Sequence, residues 1–170
     1  MPRVHHVKKA RKDNPVCKKG ESYYWWKFRY GGKQYSLSYP KASQLTQSEY
    51  LGQFYSLQEQ VEGLGRPDSR EDIEEFADQL ESIASEFESL GEEQGEKKYN
   101  MPDQLQDSDI GCLLETRAES CQEAKDAVEE AANELRSLVS DLEEDATDEQ
   151  VEEACDEAEG HISEISLDTE

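Results

Sequence analysis

The chain has 170 residues, with 18 Lys+Arg against 41 Asp+Glu, a formal net charge of −23 and only 34% hydrophobic residues. This composition excludes one large apolar core and a collagen-like chain. With no run near the roughly 20 apolar residues of a membrane span, it also excludes a transmembrane protein. It permits long amphipathic helices, in which few apolar residues suffice if they recur at helical spacing.

The charge is unevenly spread. Residues 1–41 hold eleven Lys/Arg and two Asp/Glu, net +9; residues 42–170 hold seven and 39, net −32. Eight of the fourteen aromatic residues fall between Tyr23 and Tyr39. A basic, aromatic head on an acidic body points to contact of the head with a polyanion. No apolar export segment follows Met1-Pro2-Arg3, so the four cysteines read as reduced thiols and the expected location is the cytoplasm.

In the head, two β-rich runs, Ser22–Tyr30 and Lys33–Tyr39, flank Gly31-Gly32. Glycines that supply positive φ predict a two-residue hairpin turn. That turn pairs Tyr30 with Lys33, Phe28 with Tyr35, Trp26 with Leu37 and Tyr24 with Tyr39. One face is then apolar, while Tyr23, Trp25, Lys27, Arg29, Gln34, Ser36 and Ser38 share the other. A third strand is expected within residues 3–10. The second face offers cations for phosphates, donors for base edges and rings for stacking. The expected nucleic-acid contacts are Lys27, Arg29, Lys33 and Gln34, with Tyr23 and Trp25 as stacking groups. Lys8, Lys9, Arg11, Lys12, Lys18 and Lys19 extend the positive field, the first four as expected contacts.

The stretch Tyr24-Trp25-Trp26-Lys27-Phe28-Arg29-Tyr30-Gly31-Gly32-Lys33-Gln34-Tyr35-Ser36-Leu37-Ser38 resembles the three-stranded arm-type DNA-binding modules of phage integrases and the related AP2-like sheets. The resemblance covers about 25 residues and implies a DNA-reading head, in a family whose sheets enter the major groove. No integrase catalytic set follows it. With its acidic helices, the whole chain is also similar to uncharacterised accessory proteins of tailed phages, which implies a phage or mobile-element origin and a host-cell cytoplasm.

The body reads as helices. Thr46-Gln47-Ser48-Glu49 has the form of a capping box, predicting a helix over about 47–63 that covers the apolar face of the hairpin. Gly63, Gly65 and Pro67 end it and set an expected boundary between domains 1–66 and 67–170. A second helix starts at Asp68 or Ser69 with the stripe Ile73, Phe76, Ala77, Leu80, Ile83, Ala84, Phe87 and Leu90; Gly91 and Gly95 weaken its end. After a bend over 99–108, a third helix carries Ile110, Leu114, Ala118, Cys121, Ala124, Val128, Ala131, Leu135, Leu138 and Leu142, steps that suit a coiled-coil seam. Carboxylate runs such as Glu143-Glu144-Asp145 read as solvated surface. Thr147 to Gln150 is another capping box, opening a short last helix. The expected fold class is therefore α+β: a small basic three-stranded sheet with one helix, then an acidic antiparallel helical hairpin and a short C-terminal helix.

No phosphate loop, dinucleotide fingerprint or nucleophile elbow occurs, so no enzyme activity, catalytic residue or cofactor is expected. His5, His6 and Cys17 lack a fourth ligand nearby, so no metal is expected either. The reading is a non-enzymatic nucleic-acid-binding accessory protein, directed at DNA before RNA. Its acidic helices dimerise or hold a protein partner. Two helices bury little apolar area, so a homo-oligomer is expected. One alternative is a regulatory or anti-defence DNA mimic whose acidic helices block a host nucleic-acid-binding protein. The other is a coiled-coil scaffold.

Overall fold

The computed structural model describes residues 1–143 and 146–169; Glu144, Asp145 and Glu170, and with them part of the acidic run noted above, lie outside the described residues. The chain is α+β. Three short strands, β1 (His5–Val7), β2 (Tyr23–Lys27) and β3 (Lys33–Ser36), form an antiparallel sheet in the order β1-β2-β3. Helices follow: a single 3-10 turn (Ala42–Leu45), then α1 (Glu49–Val61), α2 (Arg70–Tyr99), α3 (Asp103–Gln106), α4 (Asp109–Asp141) and α5 (Asp148–Glu164). Two compact units result, Met1–Ser56 and Leu57–Glu170. The division falls inside α1. Among the described residues, no helix is long and apolar enough to cross a membrane.

In the first unit the buried apolar side chains are Ala10, Cys17, Trp26, Leu45, Tyr50 and Phe54. Tyr50 and Phe54 sit one turn apart on α1, with ring centroids 5.9 Å apart. The cap of α1 is Ser48, whose Oγ accepts from the Leu51 N–H at 3.4 Å. Thr46 instead accepts from the Ser48 N–H at 3.1 Å; the cap lies two residues later than expected, and Leu51 at its third position cannot complete a capping box.

In the second unit α2 and α4 form the expected antiparallel pair, roughly 45–50 Å long at 1.5 Å per residue. Arg70 donates to the Val139 carbonyl at 3.1 Å, Arg136 bridges Asp78 and Glu81, and Lys98 meets Glu115 at 2.8 Å. One index falls as the other rises, which fixes the antiparallel register. The predicted α2 stripe is buried except for the half-buried Phe76. On α4, Val139 is buried, whereas Leu138 is half-buried and Ile110 is exposed. The expected weak end of α2 does not occur, since the helix runs through Gly91 and Gly95 to Tyr99. Gly91 is buried at a close crossing: a Cβ there would lie 3.0 Å from the Cys121 Cβ and 3.4 Å from the Ala118 carbonyl. The glycine marks contact with α4, not termination.

Ser69, Ser108 and Thr147 cap α2, α4 and α5, the last within a full capping box with Gln150. Helix α5 buries Ala154, Cys155, Ala158 and Ile162 and packs on α4 and α2. His161 Nδ1 lies 2.6 Å from Glu134, and Arg66 lies 2.7 Å from Asp156. All four cysteines are free thiols, and burial pushes the Cys155 thiol up.

Candidate nucleic-acid interface

The sheet register decides which side chains share a face. Lys27 pairs with Lys33, Trp26 with Gln34, Trp25 with Tyr35 and Tyr24 with Ser36. The connection therefore spans residues 28–32 rather than two glycines. Neither Gly31 nor Gly32 takes a positive φ, which the predicted tight turn requires. The pairing is displaced by three residues from the expected one. An odd displacement moves every β3 side chain to the opposite face.

One face consequently gathers His5, Val7, Tyr23, Trp25, Lys27, Lys33 and Tyr35. The other holds His6, Tyr24, Trp26, Gln34 and Ser36, of which only Trp26 is buried. Of the expected contacts, Tyr23, Trp25, Lys27 and Lys33 are together. Gln34 is separated from them on the far face, although exposed. Arg29 lies in the connection with its guanidinium 5.3 Å from the Tyr30 ring.

Trp25 occupies the centre of the basic face. His5 from β1 stacks on it at 4.3 Å with an 11° interplanar angle, and the Lys33 ammonium from β3 stands 4.3 Å from its ring centroid. His5 and Lys33 stand on the strands that flank β2 on opposite sides, so they cover the indole from its two sides. The cation–π contact holds Lys33 in place while the residue stays exposed. Tyr23 and Tyr35 continue the face, 6.0 Å apart. His6 stacks on Tyr24 at 4.5 Å on the opposite side. Strand alternation thus splits the two histidines, and Cys17 accepts from the Asn14 amide at 3.2 Å. Among the described residues no group of three or more His, Cys, Asp or Glu is placed to hold a metal ion.

The β1–β2 connection is an ordered basic loop. The Ala10 N–H donates to the Glu21 carbonyl at 2.8 Å, and the Gly20 N–H returns a bond to the Ala10 carbonyl at 2.9 Å. Gly20 takes φ +102°, a conformation that favours glycine. The Asn14 carboxamide accepts from the N–H groups of Val16 and Cys17 at 3.0 and 2.9 Å. Asp13 accepts from the Lys19 N–H and Glu21 from the Lys18 N–H, each at 2.7 Å. The only two carboxylates of residues 1–41 are therefore spent on backbone amides. The side chains of Lys8, Lys9, Arg11, Lys12, Lys18 and Lys19 are exposed, and among the described residues none forms an ion pair. The loop's order is what sequence reasoning missed; the turn-forming run Asp13-Asn14-Pro15 was the available signal.

Fold and site together define an α+β protein with a basic aromatic sheet in one unit and an acidic helical hairpin in the other. No family model, no curated protein and no solved structure matches the chain.

Proposed function

We propose that the chain is a non-enzymatic DNA-binding accessory protein whose contact surface is the Trp25 face of the sheet together with the loop over residues 8–21. The observation that carries this reading is the state of the cations. Lys27, Lys33 and the loop lysines and arginine are exposed and without carboxylate partners among the described residues, beside an ordered aromatic platform. Phosphate binding needs cations whose charge is not already neutralised. The likeness of residues 24–38 to arm-type modules agrees with it and belongs to the same proposal, as does a phage or mobile-element origin.

The covered indole sharpens the ligand. Single-strand binders offer bare ring faces on which bases stack. Trp25 offers none, because His5 and Lys33 occupy both sides. The surface suits the phosphates and groove edge of a duplex.

Fluorescence anisotropy of the full chain with labelled duplex and single-stranded DNA, at two salt concentrations, tests the proposal. Expected are salt-sensitive binding with duplex preferred, and at least a tenfold loss for Lys27→Ala with Lys33→Ala. Affinity unchanged in that double variant would remove the sheet from the site. No binding to either DNA would remove the function.

A further inference from the structure

Four large apolar side chains of the second unit are well exposed: Tyr99 at 83%, Leu105 at 49%, Ile110 at 63% and Leu113 at 43%. All lie within residues 99–113, at the turn that joins α2 to α4. This turn is built, not frayed. The Gln106 carboxamide donates to the Met101 carbonyl at 3.0 Å, and the Ser108 hydroxyl donates to the Leu105 carbonyl at 2.6 Å. Gly111 is buried beneath α3; a Cβ there would collide with the Gln106 carbonyl and lie 2.9 Å from the Leu105 oxygen. The turn is thus locked in a form that directs apolar groups to solvent. Ile110 and Leu113, three residues apart, share one side of the first turn of α4.

The same segment is where the acidic unit is least acidic. Residues 97–117 hold Lys97, Lys98 and Arg117 against Asp103, Asp107, Asp109 and Glu115, net −1. The other 93 residues of 57–170 hold four cations against 34 carboxylates, net −30. Two such units repel over nearly their whole surface and can approach only where the charge density falls. Apolar area and low charge coincide at one place.

We propose that this turn is a self-association surface, at which two copies of the chain meet through Tyr99, Leu105, Ile110 and Leu113. A basic partner would be drawn to the strongly acidic faces instead, whereas the acidic unit of a second copy is admitted only here. A two-fold contact presents the same patch from both sides. The patch is small, so the contact belongs to the weak end of the interface range. The α2 and α4 stripes are already buried within one chain, so the contact does not use them. The inference is independent of DNA binding.

Sedimentation equilibrium of the full chain across concentrations of roughly 1–200 μM, bracketing a weak dissociation constant, is the test. Expected is a mass rising toward two chains, more steeply at higher salt as repulsion is screened. Ile110→Ser with Leu113→Ser weakens association at least tenfold, with helix content unchanged by circular dichroism. A second readout uses the unaltered sequence: Cys112 is the exposed cysteine, the other three being buried. A bulky maleimide on Cys112 blocks association, and a short bismaleimide joins two chains through it. A single-chain mass throughout the range, or association untouched by both the double variant and the Cys112 adduct, overturns the proposal.

Discussion

The two units treat their basic residues in opposite ways. In the acidic unit, Arg66, Arg70, Lys97, Lys98, Lys125 and Arg136 each lie within 4.0 Å of a carboxylate. These contacts favour the charged forms: hydrogen bonds to Asp156, Glu115 and Glu129 raise the pKa of Arg66, Lys98 and Lys125 above their ordinary values. In the basic unit, cations line an ordered loop and a sheet face, while the two nearby carboxylates bind backbone N–H groups. What this teaches is that net charge alone does not identify a polyanion site. The availability of the cations does, and it depends on where the few opposing carboxylates are used.

The sharpest way to break this comparison is to neutralise cations in each unit separately. Replacing Lys8, Lys9, Arg11 and Lys12 by Ala is expected to flatten the slope of log affinity against log salt for duplex DNA by about 3–4, near 0.9 per phosphate contact. Replacing Lys97, Lys98 and Lys125 leaves that slope unchanged. Equal effects from both sets would erase the distinction.

A smaller effect separates two glycines on one helix. Gly91→Val is expected to lower stability by about 1–3 kcal/mol in denaturant unfolding, since the added carbons meet Cys121 and the Ala118 carbonyl. Gly95 has open space around its Cα, so Gly95→Ala raises stability by about 0.5–1 kcal/mol through helix propensity. Gln94, between them, is 1% exposed, and neither its Nε2 nor its Oε1 has a hydrogen-bond partner among the described residues. Gln94→Leu is expected to stabilise by about 1 kcal/mol, because it removes a buried polar group that is not satisfied. The same unfolding curves read both effects.

The smallest expected effect is pH-dependent. The hydrogen bond from Arg136 holds the Glu81 carboxyl below the usual carboxylate range. A depressed folded value means that the bridge contributes above the ordinary carboxylate pKa and is lost as pH falls through the depressed one. The difference in melting temperature between the chain and Arg136→Gln is therefore present at neutral pH and disappears in acid. The bridge is solvent-exposed, so the difference is small.

The helical unit was largely legible in sequence because one apolar residue every three or four positions leaves a single solution. Ser69 and Thr147 cap where the sequence signals place them. Gly91 misled because propensity speaks of isolated helices and not of a crossing at 3.0 Å. The sheet register was not legible. Tyr23, Tyr24, Trp25 and Trp26 put aromatic rings at both parities, so alternation does not choose between registers displaced by an odd number. Gly31-Gly32 then suggested a turn whose backbone angles the chain does not adopt. The candidate face was recognisable through Tyr23, Trp25 and Lys27, whereas Lys33 joins it only in the register the chain adopts. The covering of Trp25 by His5 depended on the pairing of β1, which three residues could not announce.

Lysine acetylation footprinting of the full chain, read by mass spectrometry with and without duplex DNA, tests the central claim most directly. The account predicts fast modification of Lys8, Lys9, Lys12, Lys18, Lys19, Lys27 and Lys33, all suppressed by duplex, and slower modification of Lys97, Lys98 and Lys125 that duplex does not change. Head lysines that react alike in both conditions, or protection confined to the acidic unit, would contradict it.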